Sequence, residues 1–326
     1  MNQTWTRSEY YLNSYFFTGN QEKTHGLVFY FGLFSFFWLL RSLSPNQQKR
    51  LLQVSFLAFF GVVLYSLFQR FGLDPLSNAY NSRLDPWRIF STLGNPNYLA
   101  GYVLLILPLL RVYRFQGELS WEEHLWEIAV WIISGLLIYW TGSYLAWIIF
   151  ATYVGYVILD HVLPKTKQRI WLWSSIALIA LLAIMYIWTE YRTDILEAQK
   201  MKWFIARWYL WQTGIAAITN DVGHFLFWYG PDGFLAVSEH FRHPLLSFYE
   251  DPAYRIDRSH NVFIDFALHF GVPLALVTLW SFVILFRGLT HEKKVALCIF
   301  AVYFSFNIPV LIHFLILTQV LASARK

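Results

Sequence analysis

The sequence predicts an all-α polytopic membrane protein of about eight transmembrane helices with one large loop outside the membrane. The composition is the first reason, because 57% of the 326 residues are hydrophobic and 20% are aromatic. Only 14% are charged, whereas a soluble domain carries about 25%. The second reason is that apolar runs of the ~20 residues needed to cross a bilayer recur along the chain between short polar connections.

The apolar runs define eight predicted spans, at 26–41, 51–69, 97–115, 125–142, 144–162, 170–189, 261–286 and 294–320. Three regions follow from them. Residues 1–189 are predicted to form an N-terminal bundle of about six spans, and 261–326 two C-terminal spans. Between them, residues 190–260 form a loop with a helix lying at the membrane surface, where tryptophan rings sit at headgroup level.

Lysines and arginines predict the orientation of these spans. They are concentrated in alternate connections, and the basic side of a membrane protein faces the cytoplasm. Both termini and the loop 190–260 are then expected outside. Residues 1–24 contain no signal peptide, so we expect that N-terminal spans are missing or that the true start lies upstream. The net charge of +5 belongs to this topological pattern and predicts no nucleic-acid partner.

The segment Tyr254–Asp265, with the sequence YRIDRSHNVFID, ends the only long polar stretch of the chain. A permanent cation, a hydroxyl, a titratable base and an amide follow one another in Arg258, Ser259, His260 and Asn261. Asn261, Asp265 and His269 are spaced four apart, so they share one helix face. Polar side chains inside a span face a cavity or the bundle interior. The alternative is that this stripe only bonds helices together.

Three arginines are predicted to lie outside near apolar surface: Arg88, Arg207 and Arg258. A guanidinium group matches phosphate oxygens in bidentate geometry and stays charged at any relevant pH. A pair of them beside the membrane would suit a lipid diphosphate. Ordinary headgroup contacts, or a salt bridge such as Arg258 with Asp257, explain them equally well.

Two further patterns have structural as well as functional explanations. In RIFSTLGNPNYLAG at 88–101, the Gly-Asn-Pro turn followed by Asn97 as a helix cap accounts for each residue. His240 and His243 beside Glu239 could face a zinc ion from one helical turn, but no third ligand follows at a characteristic spacing. No nucleotide-binding fingerprint is present, and we predict neither a metal nor a cofactor.

Several pieces of the sequence together resemble the O-antigen ligase and O-antigen polymerase family, which includes bacterial protein O-oligosaccharyltransferases. They are STLGNPNYLAGYVLLILPLL at 91–110, TGSYLAW at 141–147, ARWYLWQTGIAAI at 206–218, YGPDGF at 229–234 and DRSHNVFIDFALHFGVP at 257–273. The GNPN and DRSHN pieces are the most specific. The order of the pieces and their placement relative to the spans also match, over roughly residues 88–290.

The resemblance implies a C-type glycosyltransferase architecture in the bacterial inner membrane, with the loop 190–260 in the periplasm. It implies an inverting transfer, without metal or nucleotide, of a glycan from undecaprenyl diphosphate to an acceptor hydroxyl. The acceptor is lipid A-core, a growing glycan or a protein. His260 matches the family's loop histidine, proposed to activate the acceptor. Arg207 matches an arginine thought to hold the diphosphate, in an R-x-x-x-W piece completed by Trp211.

We add Arg88, Arg258, Asn261 and Asp265 as candidate substrate-binding residues. The chain also departs from the family: Tyr144 stands where an arginine often follows T-G-S, and Trp228 where a glycine is often found. Relative to the family's usual count, we also expect about three or four N-terminal spans and one C-terminal span to be absent. The alternative function is therefore a non-catalytic lipid-linked glycan binding or transport protein, or a truncated inactive relative.

Overall fold

The computed structural model describes residues 17, 26–74, 88–114, 121–162, 202–227, 229–230, 233–250 and 255–324. These residues form helices and turns, with no strand among them, which confirms the all-α prediction for this part of the chain. The predicted sixth span at 170–189 and the start of the surface helix, with Glu197 and Lys200, lie outside the described residues.

The N-terminal bundle contains α1 Leu27–Ser42, α2 Pro45–Arg70, α3 Pro96–Arg114, α4 Trp121–Thr141 and α5 Tyr144–Val162. The loop region contains α6 Lys202–Thr219, α7 Val222–Phe227 and the short α8 Phe234–Val237. The C-terminal region contains α9 Val262–Phe270, α10 Val272–Arg287, α11 His291–Tyr303 and α12 Leu311–Ala322. Among the described residues, α2 alone is both long and apolar enough to cross a membrane, and several shorter apolar helices accompany it.

Both C-terminal spans differ from their predictions, because each apolar run is divided into two helices. The first run breaks at Gly271, whose φ of +81° lies in the left-handed region that favours glycine. A Cβ atom there would lie 2.5 Å from the Leu226 carbonyl oxygen, so the break also lets α7 approach. The second run is interrupted by residues 304–310, which contain Pro309.

The two ends of the bundle are defined by hydrogen bonds between distant residues. At one end, called the loop end here, the Val262 amide donates to the Phe304 carbonyl oxygen at 2.9 Å. At the other, called the basic end, Arg41 donates to the Ala324 carbonyl oxygen at 3.2 Å. Helix α12 therefore returns from the loop end to the basic end, antiparallel to α11. The expectation that the C-terminus shares a side with the loop 190–260 is wrong at residue 324.

Two apolar cores hold the described residues together. The larger one centres on α3, whose residues from Leu99 to Leu109 are almost all buried against α2, α4, α5, α11 and α12. The smaller one joins α6, the residues after α7 and Leu268 of α9. Helix α9 therefore packs with the loop region, although the sequence predicted it as the first part of a span.

Candidate functional site

The segment before α9 is shaped by Asn261, which caps the helix. Its side-chain oxygen accepts the amide hydrogens of Phe263 at 3.0 Å and Ile264 at 3.2 Å. An asparagine cap satisfies amide groups that have no partner within the helix. The oxygen of a predicted substrate-binding residue is thus used by the fold, which fixes where α9 begins.

Ser259 and Asp265 are bonded to each other across this cap. One oxygen of the Asp265 carboxylate accepts both the Ser259 amide hydrogen at 2.7 Å and the Ser259 hydroxyl at 2.8 Å. The Asn261 amide donates back to the Ser259 oxygen at 3.2 Å. All three residues are buried. We call Ser259–Asn261 the SHN turn; its outer members are tied together around His260.

His260 stands at the middle of the SHN turn with a φ of +59°. Its side chain is half-buried, whereas both neighbours are buried. A positive φ is uncommon for any residue other than glycine, although histidine is among the types that adopt it more often. The backbone is therefore held in a disfavoured region by the bonds on either side of the imidazole.

Arg258 lies behind the SHN turn, with only 3% of its surface exposed. A small pocket there is lined by Tyr30, Arg258, Val262, Asp265, Phe266, His269, Pro309 and Phe314. His269 Nδ1 lies 2.8 Å from the Tyr30 hydroxyl, which belongs to α1. The predicted stripe of Asn261, Asp265 and His269 thus has three separate partners: the start of α9, Ser259 and α1. For His269, the alternative that it bonds helices together agrees with this contact.

Arg207 lies on α6, next to the SHN turn in the fold. Its guanidinium is 3.5 Å from the Glu250 carboxylate, and 17% of its side chain is exposed. Gly214 is seven residues further along the same face, about 10 Å away along the axis. A Cβ atom on Gly214 would lie 3.2 Å from Ser259 Cβ, so α6 rests directly on the turn. Arg207 therefore lies about two helical turns along α6 from the contact with Ser259.

Trp211 lies between Arg207 and Gly214 on this face of α6. Its ring packs 5.0 Å from that of Phe306, in the segment that separates α11 from α12. The indole nitrogen is buried and has no hydrogen-bond partner among the described residues. A buried donor without a partner is uncommon in a folded protein, and a bound group that accepts its hydrogen is one explanation.

A second turn at the loop end joins α4 to α5 and contains Thr141, Gly142 and Ser143; we call it the TGS turn. Arg88 Nε donates to the Thr141 carbonyl oxygen at 2.7 Å. The Ser143 hydroxyl lies 3.4 Å from that of Tyr303. Tyr303 in turn donates to the Asn97 carbonyl oxygen at 2.8 Å. These contacts bring the GNPN piece, the TGS turn and Arg88 together. The sequence predicted all three on the outer side of the membrane.

The cap of α3 differs from the prediction. Asn95, and not Asn97, supplies the side-chain oxygen, which accepts the Asn97 amide hydrogen at 2.8 Å. Pro96 is the first helical residue, a position where its missing amide hydrogen costs nothing. Asn97 therefore contributes its carbonyl oxygen to Tyr303, and its side chain does not begin the helix.

The remaining loop residues have structural partners. His243 Nδ1 accepts the Leu245 amide hydrogen at 3.2 Å, and its ring stacks on Tyr209 with centroids 4.3 Å apart. The ring of His240 contacts Phe241 instead. No group of three or more metal-ligand side chains occurs in the described part of the chain. In the YGPDGF piece, the Tyr229 hydroxyl donates to the Ala217 carbonyl oxygen at 3.0 Å, and burial raises the pKa of Tyr229 to about 12.

Comparison with known families identifies the region that contains both α6 and the SHN turn. Residues 128–279 match a family model described as O-antigen ligase. This part of the chain is similar to the O-antigen ligase family. The resemblance predicted from the sequence pieces is confirmed. Neither a curated protein nor a solved structure matches the chain.

The O-antigen ligase region includes the TGS turn, Arg207 and His260, while Arg88 and the GNPN piece precede it. The match supports, in general terms, an O-antigen ligase-like role in glycan transfer and in polysaccharide biosynthesis. Arg88 contacts the TGS turn directly, and Asn97 contacts it through Tyr303, so both lie at the same end of the molecule as that turn.

Sequence reasoning missed three partners of the O-antigen ligase site residues. Glu250 pairs with Arg207, Tyr30 contacts His269, and Tyr303 joins Ser143 to Asn97. Tyr30 is 239 residues from His269, and Tyr303 is 160 residues from Ser143 and 206 from Asn97; neither tyrosine belongs to a motif. A single sequence carries no signal for such pairs. Glu250 is one of several acids in the loop, and nothing in the sequence spacing assigns it to Arg207.

Proposed function

We propose that the protein transfers a glycan from undecaprenyl diphosphate to an acceptor hydroxyl at the outer face of the bacterial inner membrane. The family match supports glycan transfer in general. The observation that carries the finer proposal is His260, held at a φ of +59° in a turn against which α6 packs with Arg207. A disfavoured backbone conformation retained at a half-buried histidine is typical of a functional position.

His260 acts as the general base in this proposal. A neutral imidazole at pH 7 removes the proton of the acceptor hydroxyl as its oxygen attacks the anomeric carbon. The bond from that carbon to the diphosphate oxygen breaks on the opposite side, so the configuration inverts and undecaprenyl diphosphate leaves. Neither a metal nor a nucleotide takes part, and chelation with EDTA should leave transfer unchanged.

Arg207 and Trp211 bind the donor diphosphate. Arg207 already faces an anion, the Glu250 carboxylate, and exchanges it for phosphate oxygens when the donor binds. Trp211 offers the indole hydrogen that has no partner among the described residues. Arg88, fixed on the TGS turn, is a second cation for the charge that develops on the leaving group. Arg258, Asn261 and Asp265 shape the turn and do not contact the donor.

The bundle is proposed to span the membrane several times, with the loop end in the periplasm and the basic end in the cytoplasm. Large apolar side chains such as Phe31, Leu57 and Trp280 are exposed on its helices, which suits lipid contact. Residues 1–189 form the first bundle, 190–260 the loop and 261–326 the C-terminal helices, with α9 attached to the loop. The acceptor is lipid A-core, another glycan or a protein.

Single cysteines test this orientation. In a Cys298→Ser background, His240→Cys in the loop region should react with an impermeant thiol reagent in intact spheroplasts. Asn46→Cys, in the first turn of α2, should react only after lysis; both positions are exposed. Labelling of Asn46→Cys alone in intact cells would reverse the proposed orientation.

His260→Gln tests the catalytic role, because glutamine accepts a hydrogen bond but takes no proton at neutral pH. Transfer from undecaprenyl-diphosphate glycan in reconstituted membranes should fall by about 10²–10⁴, the usual contribution of general-base catalysis. Donor binding, measured separately, should be unchanged. His240→Gln is the matched control in the same loop and should keep full transfer.

Two results would contradict the proposal in different ways. Full transfer by His260→Gln would show that His260 is not the base. A wild-type protein that binds donor but transfers to no lipid A-core, glycan or protein acceptor would establish the non-catalytic binding function instead.

A further inference from the structure

We propose that Asp265 and Ser259 are positioning residues for His260, and that Asp265 acts through Ser259 without touching the imidazole or the substrate. This inference rests on the proposed function of His260. It assigns to Asp265 a role different from donor binding, and it explains why a buried carboxylate stands in the first turn of α9.

The contacts of the Asp265 carboxylate point to this role. A single oxygen accepts two hydrogen bonds from Ser259, one from its amide at 2.7 Å and one from its hydroxyl at 2.8 Å. Because one bond involves the backbone and the other the side chain, both the position and the rotamer of Ser259 are fixed. Charge-assisted hydrogen bonds of this kind are the strong ones.

Ser259 transmits this restraint to the next two residues. Its oxygen accepts the Asn261 amide hydrogen at 3.2 Å, so the residues on both sides of His260 are bonded to each other. The Asn261 side chain is in turn fixed by capping α9. His260 is left with one backbone conformation, at a φ of +59°. Without these bonds, a histidine would return to the negative φ that most residues prefer.

The surroundings keep this arrangement rigid. Arg258 and Asp265 line the same pocket, so the carboxylate is buried beside a permanent positive charge. On the opposite side, Gly214 lets α6 approach Ser259 Cβ to within contact distance. A general base that is displaced by about 1 Å can lose 10²-fold in rate. The restraint on the SHN turn is therefore expected to matter for the rate of transfer and not for donor affinity.

A double-mutant cycle tests the inference. Ser259→Ala should lower the kcat of transfer by about 10²-fold in the otherwise wild-type protein. The same substitution in a His260→Ala background should cost less than about twofold, because residues that act through one another are not additive. The KM for donor should change little in either case. Ser66→Ala removes another fully buried serine hydroxyl, bonded to the Val62 carbonyl oxygen at 2.7 Å, and should keep full kcat.

Asp265→Asn tests the carboxylate itself and leaves a side chain of the same shape beside the buried Arg258. The amide oxygen of asparagine can still accept from Ser259, so this variant should retain more transfer than Ser259→Ala. Equal losses from Ser259→Ala in both backgrounds would overturn the inference, because the serine would then act independently of His260.

A readout that needs no transfer separates this inference from the proposed function. Diethyl pyrocarbonate modifies accessible imidazoles, and mass spectrometry reports the rate at His260 itself. Ser259→Ala should raise that rate relative to wild type and to Ser66→Ala. An unchanged rate would refute positioning even in an active enzyme. If the protein never transfers but Ser259→Ala still raises the modification rate at His260, the restraint on the SHN turn stands. Only the catalytic role of His260 is then refuted.

Discussion

The SHN turn and the TGS turn lie at the same end of the molecule and use the same unusual backbone conformation with different residues. Gly142 in the TGS turn has a φ of +63°, and His260 in the SHN turn has a φ of +59°. Glycine adopts this conformation without steric cost. For another residue the left-handed region costs about 1–2 kcal/mol. The TGS turn thus uses the residue that its geometry favours, and the SHN turn does not.

This difference indicates what each turn is for. A turn that only connects two helices gains nothing from a side chain at the left-handed position, and glycine suffices. At position 260 the steric cost is offset by hydrogen bonds among Ser259, Asn261 and Asp265. The disfavoured backbone conformation keeps an imidazole at that place, which supports the catalytic role proposed for it.

The two turns are also held by groups of opposite charge. Arg88 donates into the TGS turn through the Thr141 carbonyl oxygen, whereas Asp265 accepts from the SHN turn through Ser259. A cation near the TGS turn suits the diphosphate. The anion beside the SHN turn, Asp265, lines the same pocket as the buried Arg258. The arginines predicted from sequence as one group therefore have different surroundings.

A third position shows that a positive φ alone does not mark a catalytic residue. Ser91 has a φ of +53°, and 2% of its surface is exposed. Its amide donates to the Gln69 side-chain oxygen at 2.8 Å, and its hydroxyl donates to the Val62 carbonyl oxygen at 3.0 Å. Ser91 is thus buried, and its amide and hydroxyl are both used in structural hydrogen bonds. His260 differs because a half-buried side chain can be reached by substrate.

His260→Gly brings the SHN turn to the composition of the TGS turn and is expected to have the largest effect. Transfer should fall by about 10²–10⁴ because the base is lost. The free energy of unfolding should stay the same or rise by up to about 1 kcal/mol, because glycine relieves the left-handed strain. Transfer in proteoliposomes and thermal unfolding in detergent measure the two effects. A loss of several kcal/mol would mean that the imidazole is structural.

The sequence predicted the first five N-terminal helices well, because each of those apolar runs coincides with one helix. The runs at 97–115 and 144–162 became Pro96–Arg114 and Tyr144–Val162. The run at 51–69 begins later than α2, which starts at Pro45. Polar residues occupy its first turn, where the Ser44 side chain accepts the Gln47 amide hydrogen and caps the helix. Hydrophobic length alone does not detect such a start.

The C-terminal region and the site were harder to predict because local chemistry decides them. Gly271 and Pro309 interrupt runs whose hydrophobicity is otherwise continuous, and a bilayer-length count ignores them. The four-residue spacing predicted that Asp265 lies on a helix face. Its partner Ser259 lies before the helix, so no helical spacing relates the two residues. Motif resemblance assigned the roles of His260 and Arg207, whereas their contacts are seen only in the folded structure.

Arg88→Lys tests the charge that holds the TGS turn and should have an intermediate effect. Lysine keeps the positive charge but loses the planar fork, including the bond from Nε to the Thr141 carbonyl oxygen at 2.7 Å. Hydrogen bonds of charged groups contribute about 1.5–3 kcal/mol, so donor affinity should weaken by about tenfold or more. Direct donor-binding measurements check this. An unchanged Kd would show that a single point charge suffices there.

Gly142→Ala should have the smallest effect and should act on stability with a sign opposite to that of His260→Gly. Alanine at a φ of +63° is strained, and its Cβ would lie 3.2 Å from Arg88 Nε. We expect a loss of about 1–2 kcal/mol in the free energy of unfolding and a few-fold drop in transfer as Arg88 shifts. Gly155→Ala, in α5 with no atom within 4 Å of the new Cβ, should be neutral or slightly stabilising. If Gly142→Ala were as stable as Gly155→Ala, the left-handed position would carry no cost in the TGS turn. The cost inferred for His260 would then lose its basis, and with it the contrast between the two turns.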